Sequence, residues 1–112
     1  MEANFSRKPI EVSNQFYESI EKVYEFGTET FGYLQAERYK RQIRQSLATL
    51  SDFYTAYPEC RHLATQSRMY RNIILDAHLI IYRITDKRIE VLDIIHSASS
   101  IGKIRAVRNI HL

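Results

Sequence analysis

At 112 residues the chain is long enough for one hydrophobic core and too short for two, so we expect a single domain over residues 1–112. No apolar run reaches the roughly 18 residues that a membrane span needs. The N-terminus, which includes Glu2 and Asn4, has no apolar stretch typical of a signal peptide. We therefore expect a cytoplasmic protein without membrane contact. The lone Cys60 excludes an internal disulfide, and we interpret it as structural.

The formal net charge of +3 is unevenly distributed along the chain. Residues 1–37 contain three Lys or Arg and seven Asp or Glu, whereas residues 38–112 contain thirteen and six. A basic C-terminal part of this kind suits an acidic partner, and it does not choose between nucleic acid and an acidic protein segment.

The N-terminal part predicts a short strand and an acidic amphipathic helix. Residues 8–12 have strand character, and Pro9 restricts them to a sheet edge or a strand start. Ser13 can cap the following helix because its hydroxyl can accept from the free amides of the first turn. We expect Gly27 and Gly32 to end this helix, with Gly32 in the left-handed conformation at the turn. The apolar residues at helical spacing are Phe16, Ile20, Val23 and Tyr24, and Gly27 fits the same spacing.

A second helix is predicted over about residues 33–53. Its outer face is mostly basic, and only a short turn separates it from the first helix, so we expect an antiparallel helical hairpin. Residues 57–62 have no period and are predicted to form a loop. The apolar stripe of the second helix recurs in steps of three and four at Ala36, Tyr39, Ile43, Leu47 and Leu50.

From Tyr70 onward the period changes to that of strands. Three runs at about residues 70–75, 78–84 and 89–96 are rich in Ile, Leu, Val and Tyr and are separated by short turns. We predict an α+β fold: an N-terminal strand, an α-helical hairpin, then a three-stranded antiparallel meander that completes one sheet.

Turn lengths predict the strand register. A two-residue turn at residues 76–77 pairs Arg71 with Tyr82, and a turn at residues 86–87 pairs Arg83 with Glu90, which are opposite charges on one face. Strict alternation then places the helical hairpin on the more apolar face and leaves the second face partly open to a partner. His96 also falls on this second face. Its apolar residues are Ile74, Leu79, Ile81, Leu92 and Ile94.

The stretch Phe31-Gly32-Tyr33-Leu34-Gln35-Ala36-Glu37-Arg38-Tyr39 has the spacing FGxxQAxxY, with a small residue at the expected helix contact. It is followed by His78-Leu79-Ile80-Ile81-Tyr82-Arg83-Ile84 and by Val91-Leu92-Asp93-Ile94-Ile95-His96. Together, these three motifs resemble the ParE branch of the RelE/ParE toxins, the toxic halves of bacterial toxin–antitoxin and plasmid-stabilisation pairs. The resemblance covers about residues 10–97.

The resemblance implies a type II toxin that a cognate antitoxin holds inactive in a hetero-oligomer and that, when freed, acts on DNA gyrase. That branch works by trapping the gyrase–DNA intermediate and has no catalytic residues of its own. No cofactor and no metal ion are implied. One helical pair cannot cover both apolar faces of the sheet, so the residues themselves favour antitoxin binding at the groove of the hairpin and at the open second face. The residues of that face are Ile74, Leu79, Ile81, Leu92 and Ile94. The target would contact the basic residues Arg83, Lys103, Arg105 and Arg108.

Two alternatives stay open. The first is a RelE-like endonuclease that cleaves messenger RNA on the ribosome, in which Arg71 would stabilise the scissile phosphate and His96 would move protons. This alternative requires Arg71 and His96 to converge on an exposed cleft; Glu90 is a candidate second base, but its pairing with Arg83 competes. His78 and Tyr82 are interpreted as packed core residues. The second alternative is a non-toxic binding module on the same fold.

The basic C-terminal tail, about residues 98–112, contains Lys103, Arg105 and Arg108 and no acid. Two interpretations stay open here: a solvated, partly disordered end, and a segment that contacts the target.

Overall fold

The computed structural model describes residues 6–112, so Glu2 and Asn4, from which we inferred that there is no signal peptide, lie outside the described residues. One sheet has the strand order β1-β4-β3-β2, and β1 lies parallel to β4 while the other three strands form an antiparallel meander. The predicted α+β architecture is confirmed. The strands are β1 (Ile10–Val12), β2 (Tyr70–Ile74), β3 (His78–Ile84) and β4 (Ile89–His96).

A helical hairpin covers one face of the sheet. Helix α1 (Asn14–Phe31) begins at Ser13, whose Oγ accepts from the Phe16 N–H at 2.9 Å, as the sequence predicts. Gly32 has φ 90° and forms the turn into α2 (Tyr33–Ala48), a left-handed position that glycine tolerates. The predicted second helix is interrupted at Thr49, after which a short helix α3 (Leu50–Phe53) follows.

Gly27 does not end the first helix, contrary to the prediction. It lies inside α1, where a Cβ built on it would stand 3.8 Å from the Cβ of Ala36 on α2. Small residues on both helices therefore face each other at the hairpin contact, which is the packing role expected of the alanine in the FGxxQA motif.

A β-bulge in β4 changes the predicted faces. The predicted pairs Arg71 with Tyr82 and Arg83 with Glu90 are both present, but Tyr82 pairs with Val91 while Ile81 pairs with Asp93. One extra residue in β4 inverts the alternation that follows it. Ile94 therefore packs under the hairpin and Ile95 on the opposite face, the reverse of the prediction.

The C-terminal segment covers the second face of the sheet. Helix α4 (Ile101–Ala106) and a 3₁₀ turn (Val107–Asn109) follow β4, so the tail is not a disordered end. Ile104 and Val107 are buried against Ile81, Leu92 and other residues of that face. The expectation that this face is open to a partner is therefore wrong: the chain covers it with its own C-terminal segment.

Arg83 holds this segment in place. Its guanidinium donates to the Arg108 carbonyl at 3.3 Å and to the Ile110 carbonyl at 3.1 Å, and it forms a buried ion pair with Glu90 at 2.7 Å. Burial works to raise the pKa of Glu90, but hydrogen bonds from Arg83 and Arg88 outweigh it and lower that pKa. Arg83 is thus a buried structural residue, whereas the sequence placed it on a target-binding surface.

We expect Arg83→Ala to lower the free energy of unfolding by about 3 kcal/mol, near the lower end for breaking a buried ion pair, because Arg88 still pairs with Glu90. Urea denaturation measures this loss. The control is Arg88→Ala, whose side chain is 37% exposed and pairs with the same carboxylate; it should cost less than about 1 kcal/mol. Equal losses in the two variants would contradict the structural role of Arg83.

Candidate partner-binding groove

The tip of the helical hairpin exposes large apolar side chains. Phe26, Phe31, Tyr33 and Leu34 lie at or near the Gly32 turn, and between 61% and 73% of each is exposed. Single exposed apolar residues are common on protein surfaces, but four between residues 26 and 34 are typical of an interaction site.

A groove of about 530 Å³ extends from this tip to the end of the sheet. We call it the hairpin groove. Its helical wall is mostly apolar and comes from both helices, while the β2–β3 turn and the ends of β3 and β4 provide the opposite wall. Gln35, Arg38 and Gln42 add polar groups on α2. The helical wall includes Val23, Tyr24, Phe26, Phe31, Ala36 and Tyr39, and the opposite wall consists of Asp76, Ala77, His78 and His96.

Tyr39, His78 and His96 form a cluster at the sheet end of the groove. Tyr39 Oη and His78 Nδ1 are hydrogen-bonded at 2.8 Å, and the His78 and His96 ring centroids are 5.7 Å apart in an edge-to-face arrangement. The Ala98 N–H donates to His96 Nδ1 at 3.0 Å. This bond leaves the proton of a neutral His96 on Nε2, because Nδ1 is already an acceptor.

Protonation of His78 is disfavoured in the folded protein. Burial lowers the pKa of His78, and the neighbouring His96 lowers it further. Burial also raises the pKa of Tyr39, with a hydrogen bond from the Ala77 backbone acting in the opposite direction and Asp76 adding to the rise. At neutral pH the cluster therefore contains a neutral His78 that can accept from a neutral Tyr39.

Arg71 and His96 do not converge. Arg71 Nη1 donates to the carbonyls of Thr55 and Tyr57, at 3.1 Å and 2.9 Å, and its Nε donates to the Arg68 carbonyl at 2.8 Å. It borders a second depression with Lys8 and Arg68, whereas His96 borders the hairpin groove. The arrangement that a RelE-like site requires of Arg71 and His96 is absent from residues 6–112.

The predicted antitoxin-binding residues are mostly inaccessible. Ile81, Leu92 and Ile94 are at most 2% exposed, and Leu79 is partly buried. Only Ile74 of this set is well exposed, at 65%, on the edge strand β2 next to the turn that borders the groove. Of the predicted target-binding residues, Lys103, Arg105 and Arg108 are exposed and Arg83 is buried.

The groove of the helical hairpin was expected as a docking site, but its lining residues were not identified from the sequence. A sequence signal for them was Phe31, which lines the groove beside the turn glycine, where helical periodicity offers no core for its side chain. The pairing of His78 with His96 across β3 and β4 depends on the bulge, so strict alternation from the turns did not predict it.

Cys60 is buried and does not line the groove. Burial raises the pKa of the Cys60 thiol to about 11, so this thiol is not a ready nucleophile at neutral pH. Among residues 6–112, no three His, Cys, Asp or Glu side chains are grouped so that they could hold a metal ion. Within the same residues, none of the helices has the length and apolar character to cross a membrane.

Comparison with known structures supports the fold. The chain is similar to a solved chain described as the chromosomal ParDE TA system from P. aeruginosa, with a TM-score of 0.65 and 13% sequence identity. The match covers 80% of this chain and 96% of that one. No curated protein sequence matches the chain. The hairpin packed on a four-stranded sheet is therefore a fold found in a toxin–antitoxin system.

The family of the chain follows from its match to a protein-family model. Residues 10–101 match the model of the ParE toxin of type II toxin–antitoxin systems, parDE. This match covers most of the chain, and it includes the helical hairpin and all four strands. The chain belongs to the ParE toxin family.

We expect His78→Gln to reduce the pH dependence of stability. The folded protein disfavours a charged His78, so the unfolded chain takes up the proton first and stability is lost as pH falls below about 6.5. Thermal midpoints between about pH 8 and pH 5 should therefore fall less for His78→Gln than for the wild type. His111→Gln is the exposed-histidine control. Parallel curves for wild type and His78→Gln would contradict the proposed cause.

Proposed function

We propose that this protein is the toxin of a type II toxin–antitoxin pair, that it acts in the cytoplasm, and that its antitoxin binds in the hairpin groove. Membership of the ParE toxin family carries the proposal, because that family consists of toxins from such pairs. The groove is the proposed binding surface, because it has exposed aromatic side chains on one wall and polar side chains on the other.

The groove fits an amphipathic segment of an antitoxin. An amphipathic helix that binds in a groove buries apolar residues spaced three and four positions apart. Phe26 and Phe31 are large exposed side chains that such residues of the antitoxin can contact. The polar end at His78 and His96 can donate and accept hydrogen bonds, which would fix the orientation of the segment.

Ile74 extends this surface along the sheet edge. The opposite end of β2 is already covered, because the Cys60 N–H donates to the Tyr70 carbonyl and the Asn72 N–H donates to the Pro58 carbonyl. The end of β2 near Ile74 borders the groove through the turn at residues 75–77. An antitoxin segment leaving the groove can continue along this edge, where an exposed strand offers backbone hydrogen bonds.

DNA gyrase is the proposed target. Lys103, Arg105 and Arg108 are exposed on one segment and can contribute to a charged contact surface. The alternative of a messenger-RNA endonuclease has less support, because Arg71 binds three backbone carbonyls of its own chain and His96 lies in a different depression. A gyrase poison requires no catalytic cluster of this kind.

Phe31→Ser should weaken neutralisation by the antitoxin. The test is co-expression with the antitoxin encoded beside the toxin gene, scored by growth and by co-purification. Phe31 is 61% exposed, so its loss removes an anchor without removing core packing. Phe53→Ser is the matched control, since Phe53 is 55% exposed on α3 and does not line the groove. Equal neutralisation of wild type and Phe31→Ser would contradict binding in the groove.

Induction of the chain without antitoxin should arrest growth and induce the DNA-damage response before messenger RNA is cleaved. With purified gyrase, supercoiled plasmid and ATP, the protein should stabilise cleaved DNA.

Neutralising Lys103, Arg105 and Arg108 together should lower toxicity more than His96→Ala does, because a poison spreads its contacts over a surface. If His96→Ala is folded, bound by antitoxin and harmless while the triple variant stays toxic, the gyrase proposal fails in favour of a ribonuclease.

A further inference from the structure

The outer surface of the C-terminal segment is basic and has no acid of its own. We define the basic cover as Arg61, Lys103, Arg105 and Arg108, all of which are exposed. The sequence from Ile94 to Leu112 contains no Asp or Glu. None of the four side chains forms an ion pair with any of residues 6–112. These cations are therefore available to an external anion.

Packing of the segment brings these cations to one side of the molecule. Cys60 and Leu63, which flank Arg61, share a buried cluster with Ile104 and Val107 of the C-terminal segment. Glu59, two residues before Arg61, already pairs with Arg68 at 3.6 Å, and Glu90 already pairs with Arg83 and Arg88. Asp93 is 8% exposed and is hydrogen-bonded to Ser19 and to the Ile94 N–H. Burial raises its pKa, and these bonds and the nearby Lys103 only partly offset the rise.

The hairpin provides an internal comparison. It also has exposed cations, including Arg41 and Arg44 on α2, but the adjacent α1 exposes a line of acids. Glu37 on α2 lies 4.0 Å from Lys40. The charges of the hairpin surface thus partly cancel, while those of the basic cover do not. The acids on α1 are Glu18, Glu21, Glu25 and Glu29.

We propose that the basic cover binds the phosphate backbone of duplex DNA without reading its sequence. Residues 103–108 span roughly 8 Å of helical backbone. Duplex DNA carries one charge per about 1.7 Å of axis, so several phosphates lie within reach of these side chains. Contacts of this type are electrostatic, independent of sequence and sensitive to salt.

The surface chemistry favours a duplex over the other acidic partners. Single-stranded nucleic acid is usually held by bases stacked on aromatic side chains. Among residues 6–112, the exposed Phe and Tyr side chains belong to the hairpin and α3, and none to the basic cover. An acidic protein partner would also need apolar or aromatic anchors at the centre of its interface. The exposed large apolar residues of the C-terminal segment, Ile101 and Leu112, stand at its two ends and not among the cations. A regular line of phosphates needs only the cations. The proposal concerns free DNA and holds whether or not gyrase is the target.

The test uses the full chain and a fluorescent duplex of about 20 base pairs, with anisotropy measured from about 50 to 300 mM salt. Lys103→Gln, Arg105→Gln and Arg108→Gln together should weaken binding about tenfold or more at the lowest salt and reduce the slope of log K against log salt by about 2 to 3. The matched control combines Lys22→Gln, Arg41→Gln and Arg44→Gln. It removes the same net charge from exposed positions outside both the groove and the basic cover, and it should keep most of the affinity.

Each other outcome overturns the proposal. Equal losses in the two triple variants would mean that overall charge, and not the basic cover, attracts DNA. Absence of binding to the wild type at about 50 mM salt would exclude a DNA-binding surface. Tighter binding to a single-stranded RNA of equal length, or to polyglutamate, would assign the basic cover to another partner. Circular dichroism melts of all variants test whether the fold is retained. Because the binding measurement contains no gyrase, its outcome is independent of the toxicity test.

Discussion

The β-bulge at Leu92 and Asp93 determines which residues face each side of the sheet. The bulge is held by two contacts: the buried Ser13 hydroxyl donates to the Leu92 carbonyl at 2.6 Å, and the Ile94 N–H donates to the Asp93 carboxylate at 2.8 Å. Ser13 also caps α1. One residue therefore fixes both the start of the hairpin and the point where β4 changes its alternation, so the hairpin and the far end of the sheet are positioned together.

The consequence for function lies at the end of β4. Because the bulge adds one residue, Ile94 packs under the hairpin and Ile95 under the C-terminal segment. His96 then stands beside His78 and closes the sheet end of the groove. Without the extra residue, His96 would face the opposite side, as strict alternation predicts. The groove and its histidine pair are thus products of a local irregularity in a strand.

The sequence was sufficient where a local rule operates and insufficient where two elements compete for one surface. Ser13, Gly32 and the short turns specified the cap, the helical turn and the strand pairs near each turn. The bulge has no signal in the sequence, because Leu92, Ile94 and Ile95 are all apolar and suit either face of the sheet. The C-terminal helix had a signal in the three-residue spacing of Ile104, Val107 and Ile110, but the intervening cations suggested a solvated tail.

The hairpin groove and the basic cover lie on opposite sides of the sheet, and this constrains how an antitoxin can act. The chain joins them through residues 97–100, and both ends of the joined segment are tied: the Ser97 N–H donates to the Ala77 carbonyl at 2.9 Å, and Arg83 binds the carbonyls of Arg108 and Ile110. A partner confined to the groove would therefore leave the basic cover exposed and its DNA affinity intact. If the toxin–antitoxin complex loses that affinity, the antitoxin must reach beyond the groove, either across α4 or by releasing one of these ties.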